Sequence, residues 1–428
     1  MSMYRKRVID AYIDSLSQVF NAINIVGPKG CGKTTTAKQR CKTIIEFQDE
    51  EKRGNLLAIA DASPIQFLKN KKPILFDEWQ DAPKIWGTIR KDSDDHPSDT
   101  GSYYLTGSSS RVVATPHTGT LRISTVKMLP MSLYELGLSN GEVSLSELFD
   151  DPNSFSGCTS SMTVDDVIDA ICIGGWPRTL NFEDKAKKML IAKDLYRQTY
   201  QVDMPAISGI RMNSNVSRSV IQSYARNICT LASSKTIFGD VVANFEVSKK
   251  TFYEYEKALE DLCIIENVDA WSPSIRSRTS IRSSKKRNLI DPSIAVAALG
   301  LSPKYFSSDF KTLGFLFESL CIRDLKAYSS SDGGIISYYH DRYGLEADAV
   351  LHLDDGRYAL IEFKMGQKEI EEGAEHLCKI EKLVKEFNEE EAQAPLRLPS
   401  LKMVITAGQY GYRRKDGVFV IPISCLKD

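Results

Sequence analysis

A glycine-rich octet, GPKGCGKT from Gly27 to Thr34, carries the residue types that grip a polyphosphate tail. Its glycines let backbone amides converge on phosphate oxygens, and a helix starting there adds the partial positive charge of its N-terminus. Gly27, Pro28, Lys29, Gly30, Cys31, Gly32, Lys33, Thr34 and the adjoining Thr35 are the expected cradle. Lys33 is expected to reach the β and γ phosphates and Thr34 to ligate magnesium, so ATP with Mg2+ is the expected ligand pair. Context supports the pattern GxxxxGK[ST]: the apolar run NAINIV precedes it and the helix-compatible TTTAKQRCKTIIEF follows.

Two later segments supply partners. KPILFDEW reads as an apolar strand ending in Asp77 and Glu78. In P-loop enzymes the first such carboxylate holds magnesium through water and the second orients or deprotonates the attacking water. SYYLTGSSS delivers Thr106 and Ser108 at a strand end, where open α/β sheets gather ligand-binding groups, and Thr106 is placed to sense the γ-phosphate or position water. Arg111, Arg122 and Arg178 are candidates for spreading transition-state charge, either within the chain or from a neighbouring copy.

A second constellation lies far downstream. Asp348 followed by Glu362 and Lys364 fits an acidic residue and then an (D/E)xK strand, with Glu318 on the preceding helix as a further ligand. Two carboxylates of this kind hold a second Mg2+ or Mn2+ while the lysine polarises water. ExK also recurs by chance, as Glu50 with Lys52 and Glu183 with Lys185 show. Strand geometry tests it, because side chains alternate with period two. A two-residue turn centred on Asp355 and Gly356 would set Asp348 opposite Phe363 and aim it at the wrong face, whereas a three-residue loop or a bulge brings it opposite the right one.

The elements that must position these groups follow from pattern. From 21 to about 128, NAINIV, NLLAIA, KPILF, SYYLT and RISTVKML alternate with helical or polar stretches, as in a parallel sheet covered by helices. Residues 151–160, rich in turn formers, read as a linker or surface loop. A mostly helical region runs to about 235. A winged-helix-like stretch follows: helix 237–245, Ser248 as N-cap, helix 249–262 and the strand CIIENVDAW. The next segment, SIRSRTSIRSSKKRN, gathers Arg276, Arg278, Arg282, Lys285, Lys286 and Arg287 where a wing would lie. Those six cations suit DNA phosphates or a solvated loop equally. After 304 come helix 310–328, strands 335–340, 345–353 and 357–363, helix 368–387 and strand 401–407. Ile370, Ala374, Leu377, Ile380 and Val384 on the second helix are spaced to meet either the sheet or a partner helix.

Together GPKGCGKTT, LFDEW, YYLTGSSS, TGTLRISTVKMLPMSLYELG, IGGWP, EADAVLHLDDGRYALIEFKMG and GVFVIPISCL resemble the prokaryotic AAA-type ATPases that carry a C-terminal domain of unknown function. The resemblance covers nearly the whole chain. It implies an AAA core, a winged-helix segment and a terminal domain similar to restriction endonucleases, whose helix, three-strand, helix and strand order matches that read after 304. It supports Lys33, Thr34, Asp77 and Glu78, and points to Arg122 as the arginine that usually follows a glycine; here Leu121 stands in the glycine's place. The expected fold is thus α/β: a P-loop AAA-type ATPase over 1–150, a helical region over 151–215, a winged-helix-like domain over 216–303 and a restriction-endonuclease-like domain over 304–428.

Composition bounds the partners. With 428 residues, 42% hydrophobic, 26% charged and a formal net charge of -1, the chain reads as a soluble multidomain protein whose overall charge signals no nucleic acid, so only local clustering could. Nine cysteines lie singly, without CxxC pairs, which fits a reducing cytoplasm. MSMYRKRVIDAYIDSL has acidic and polar residues where a signal peptide needs an apolar run, and no 18-residue apolar stretch occurs, so no membrane partner is expected. Two functional classes remain open. One is an ATPase acting on DNA through its later domains, with or without cleavage; the other is a nucleotide-dependent switch that binds protein. A homo-oligomer is compatible with both.

Overall fold

A computed structural model describes residues 4–107, 119–207, 212–274, 283–331, 333–390 and 395–428, which divide into two compact units. The first is Met1–Pro130 with Leu259–Ile264, and the second Met131–Ala258 with Ile265–Asp428.

The first unit is built on five parallel strands, β1 (Ala22–Val26), β2 (Thr43–Glu46), β3 (Ile74–Asp77), β4 (Tyr103–Gly107) and β5 (Ile123–Lys127), in the order β2-β3-β4-β1-β5. The sheet is covered on both faces, so its central strands read as unbroken apolar runs. Period-two alternation sorts them. Ala22, Ile74, Phe76, Tyr103, Leu105 and Ile123 face one core with Phe47, Trp79 and Trp86. Ile23, Ile25, Leu75, Tyr104 and Val126 face the other, with Ile9 and Ile13 from the helix Ile9–Ser17. Because every strand is parallel, Val26, Asp77, Gly107 and Lys127 end together at one edge. NLLAIA, expected as a strand, lies in the helix Arg53–Ala62; its apolar residues pack one helical face against the sheet.

The second unit holds a seven-stranded mixed sheet. Its strands are β7 (Cys158–Thr159), β8 (Ile335–His340), β9 (Glu346–His352), β10 (Tyr358–Lys364), β11 (Leu401–Thr406), β12 (Tyr410–Arg413) and β13 (Phe419–Pro422), in the order β7-β12-β13-β11-β10-β9-β8. The helix Gln367–Glu390 lays Ile370, Ala374, Leu377 and Ile380 against Val350, Leu360 and Val404, so the apolar stripe packs on its own sheet. The helix Phe310–Tyr328 packs against β8, β9 and β10.

Residues 131–150, read with the first domain, are built into the second unit. The short strand β6 (Val143–Ser144) pairs in parallel with β14 (Leu426–Lys427), and Ser139 Oγ donates to Leu426 O at 2.6 Å. Residues 151–160 also do more than link, since β7 closes the sheet edge beside β12. Pairing across more than 250 residues leaves no local signal, which is why sequence pattern placed these segments elsewhere.

Three helices, Ser214–Arg226, Ser234–Val242 and Lys249–Asp261, precede a hairpin marked by the antiparallel bridges Ile265↔Leu289 and Val268↔Lys286. Ser248 caps the third of them, accepting from Thr251 N at 3.1 Å.

The MLPMSLYELG and IGGWP segments meet at a buried ion cluster. The Arg323 guanidinium pairs with Asp291 at 2.9 Å and Asp324 at 2.6 Å, with side chains at most 1% exposed. Asp291 also accepts from Gly175 N at 2.9 Å, and Asp324 from Leu133 N at 2.9 Å. A Cβ on Gly175 would lie 2.1 Å from the Met131 carbonyl oxygen, so the close approach admits only glycine. Gly175→Ala is expected to lower stability by about 1–3 kcal/mol, the usual cost of overpacking, read as a lower urea midpoint; an unchanged midpoint would refute the close approach.

Candidate active site

At the common strand edge of the first unit the chain leaves β1 through Gly27, whose φ is 152°, then Gly30 at 78° and Gly32 at 105°. These left-handed values favour glycine. A Cβ on Gly27 would meet the Met128 carbonyl oxygen at 2.3 Å, so the loop lies directly against the exit of β5. Lys33 opens the helix Lys33–Lys38 and is buried, its ammonium donating to Gly27 O at 3.0 Å and Pro28 O at 2.9 Å. Pro28 and Cys31 are buried, Thr34 is half-buried, and Lys29, Gly30 and Thr35 are exposed.

Across the edge, Thr34 Oγ1 donates to Asp77 Oδ1 at 2.7 Å, and Thr106 Oγ1 donates to the same oxygen. The register Asp77↔Thr106 brings the two side by side. Glu78 follows in a left-handed conformation at φ 53°, a backbone state that costs a non-glycine residue on the order of 1–3 kcal/mol. Its carboxylate accepts from the Gln80 amide. The set fits a nucleoside triphosphate with magnesium. A glycine cradle and an ammonium suit the phosphates, and two hydroxyls beside one carboxylate suit a hard cation held partly through water.

Sequence reasoning passed over Arg7. Its buried guanidinium donates to Cys31 O at 2.9 Å and Leu129 O at 2.9 Å, tying the phosphate loop to the chain beyond β5. Asp10 holds the same region, accepting from Arg7 N at 2.8 Å and pairing with Arg40 at 3.2 Å. Only an arginine near a helix start marked this role, and that signal is too common to read.

The downstream constellation also converges. β9 and β10 pair Ile361 with Ala349 and Leu360 with Val350, which carries Asp348 opposite Glu362. Leu353 N bonds Arg357 O at 2.9 Å across the turn, making a three-residue loop with Gly356 at φ 85°. Asp348 Oδ2 accepts from Phe363 N at 2.9 Å, and Lys364 Nζ lies 2.5 Å from Glu362 and 3.4 Å from Asp348. Glu362 is 1% exposed, Asp348 9% and Glu318 7%.

Lys286 and Arg287, counted among cations available to DNA, are buried instead. Lys286 Nζ sits 2.5 Å from Glu318 Oε1 and 2.8 Å from Asp348 O. Arg287 donates to Ala232 O at 2.7 Å, Tyr224 OH at 2.9 Å and Ser234 Oγ at 2.8 Å. Adjacent side chains on an extended chain point to opposite sides, and here each side is covered: Lys286 meets Glu318 and the Asp348 carbonyl, and Arg287 meets Tyr224, Ala232 and Ser234. Lys285 is exposed and pairs with Asp269 at 3.0 Å; Arg276, Arg278 and Arg282 lie outside the described residues. The expected second metal meets a similar obstacle. Among the described residues no group of three or more His, Cys, Asp or Glu is arranged to hold a cation.

Burial against Asp348 pushes the Glu362 carboxyl up to about 9, while Lys364 pulls the other way. Folded protein therefore keeps a proton that the unfolded chain releases near 4.5, so this contribution is fully present below about 4.5 and is lost as pH rises toward 9. Glu362→Gln is expected to flatten the fall in thermal midpoint between pH 5 and pH 9. Parallel curves for both proteins would refute it.

Residues 19–137 match the family model described as AAA domain. Residues 164–305 and 313–426 match two domains of unknown function, DUF8612 and DUF4143. No curated protein matches the chain. Among solved structures, the Walker-type ATPase PABY2304 of Pyrococcus abyssi is similar at 12% identity and a TM-score of 0.40, covering 69% of this chain and 96% of that chain. The AAA match spans the strand edge just described, so the first unit carries a domain similar to AAA domains, with the glycine-rich loop inside it.

Within this AAA-like domain, Arg122 lies at the edge of the sheet opposite the glycine-rich loop. It precedes β5, whose Ile123 pairs with Ala22 at the start of β1, whereas the phosphate loop leaves the far end of that strand. Five residues at about 3.3 Å each put the two roughly 16 Å apart. There Arg122 pairs with Asp94 at 2.6 Å, and Leu121 takes φ 69°, a left-handed conformation that favours glycine. Arg178 is exposed in the second unit, and Arg111 and Ser108 lie outside the described residues. No helix among the described residues is long and apolar enough to cross a membrane.

Proposed function

We propose that the ATPase domain drives a nucleotide-dependent switch in which Glu78 activates water, Thr106 reports the γ-phosphate, and the second unit binds a macromolecular partner. The observation that carries this reading is the convergence of Thr34 and Thr106 on one oxygen of Asp77, beside Lys33 and next to Glu78 in the chain. Lys33 then offers its ammonium to the β and γ phosphates in exchange for the two loop carbonyls it now contacts. Magnesium, when bound, supplies charge neutralisation between Thr34 and Asp77. Glu78, held by Gln80, orients the attacking water.

Arg122 belongs to this reading through a second copy, because the opposite sheet edge leaves a neighbour's nucleotide as the one it can reach. Turnover per chain is then expected to rise with protein concentration in the unaltered protein and to stay low and flat in Arg122→Ala. Concentration-independent turnover in both would remove the oligomer from the proposal.

For the partner, DNA is favoured by the basic run of the sequence in which Arg276, Arg278 and Arg282 precede the exposed Lys285. With Lys286 and Arg287 buried, four cations remain, and a slope of about -3.6 in log affinity against log salt is the upper bound at about 0.9 per phosphate. Substituting those four by glutamine is expected to abolish salt-sensitive DNA retention. If the unaltered chain retains no DNA but forms an ATP-dependent protein complex, the switch stands and DNA is excluded.

A further inference from the structure

The carboxylates expected to bind a divalent ion in the second unit each have one oxygen already held by a cation or a main-chain amide; Glu362 Oε1, buried without a hydrogen-bond partner and 3.7 Å from His376 Nδ1, is the oxygen left over. Glu318 Oε1 receives the Lys286 ammonium at 2.5 Å, Asp348 Oδ2 receives Phe363 N at 2.9 Å, and Glu362 Oε2 receives Lys364 at 2.5 Å. The main-chain oxygen of Asp348 is also taken, by Lys286 at 2.8 Å.

Lys286 comes from outside the fold that supplies the carboxylates. It stands on the hairpin strand bridged to Val268, within the segment matching one domain of unknown function, whereas Glu318, Asp348 and Glu362 lie in the segment matching the other. Its side chain is 9% exposed and that of Glu318 10%, so the pair is formed away from water. A neighbouring ring, Tyr338, lies 5.5 Å from the same ammonium and donates its hydroxyl to Ser284 O, closing the hairpin over the cluster. Two ammoniums, those of Lys286 and Lys364, therefore already stand among the three carboxylates.

We infer that Lys286 is a built-in cation that takes the place of a divalent ion in this cluster, fastening the hairpin to the C-terminal sheet and excluding metal while it is seated. A buried charge is tolerated only when paired, and an ammonium held by a carboxylate and a carbonyl meets the same need that a hard cation would. The C-terminal fold is then a lock for the hairpin rather than a metal-dependent nuclease.

The test uses the full chain carrying Asp77→Asn, without nucleotide, so that the first unit offers no magnesium carboxylate, and Mn2+ as the probe. Calorimetry is expected to detect no saturable Mn2+ binding in this background. Adding Lys286→Met is expected to create a saturable site, and adding Asp348→Asn to that to remove it. A saturable site that is present with Lys286 intact and lost in Asp348→Asn would overturn the inference, as would a folded Lys286→Met chain that gains none. Should Lys286→Met fail to fold, Lys286→Met with Glu318→Gln removes both charges together and is expected to regain most of the lost unfolding midpoint. Failure of that pair to recover would equally overturn the counter-ion role.

Discussion

Glu78→Gln is expected to lower ATP turnover about 10²- to 10⁴-fold, the range attributed to a positioned general base, while leaving nucleotide affinity nearly intact. The amide keeps the shape of the side chain and its place beside Gln80 but can no longer take a proton from water. Lys33→Ala separates the roles. It removes the ammonium that now rests on Gly27 and Pro28 carbonyls, so both binding and turnover are expected to collapse. Steady-state hydrolysis together with equilibrium binding of a non-hydrolysable analogue distinguishes the two. Normal turnover in Glu78→Gln would show that another group activates water, and tight binding in Lys33→Ala would show that the loop does not hold the phosphates.

The second large effect concerns folding of the second unit. Arg323→Met is expected to destabilise it by about 3–5 kcal/mol, because breaking a buried pair leaves an uncompensated charge. Here two carboxylates, Asp291 and Asp324, both 0% exposed, would lose their shared cation. Arg323→Lys is expected to recover only part of the loss, since a single ammonium cannot reproduce the fork that bonds both acids. Urea denaturation followed by circular dichroism measures this. A midpoint within error of the unaltered protein would mean that the cluster contributes little beyond its hydrogen bonds to Gly175 and Leu133.

The phosphate loop was legible because its chemistry is local. Glycines, a lysine and a threonine at fixed spacing specify a backbone conformation and the start of a helix within eight residues, and an apolar strand ending in Asp77 and Glu78 is equally local. The strands β8 to β10 and their alternation could also be read, and the spacing of Asp348 and Glu362 left a three-residue loop or a bulge, of which the loop is observed.

The charge run misled for one physical reason: whether a cation faces water depends on what packs over its side chain, which the run itself does not record. Lys285, Lys286 and Arg287 are adjacent in the sequence, yet the first is exposed and the other two are buried among partners from distant elements. For Arg122, register with β1, and not its distance along the chain, places it at the edge opposite the phosphates. What the sequence determined by itself was the pair of chemical vocabularies, phosphate-binding in the first unit and clustered carboxylates in the second. Only tertiary structure decided that Lys286 stands among those carboxylates and that β6 and β7 pair with the C-terminal strands β14 and β12, because pairings between residues hundreds of positions apart are set by burial and register rather than by local propensity.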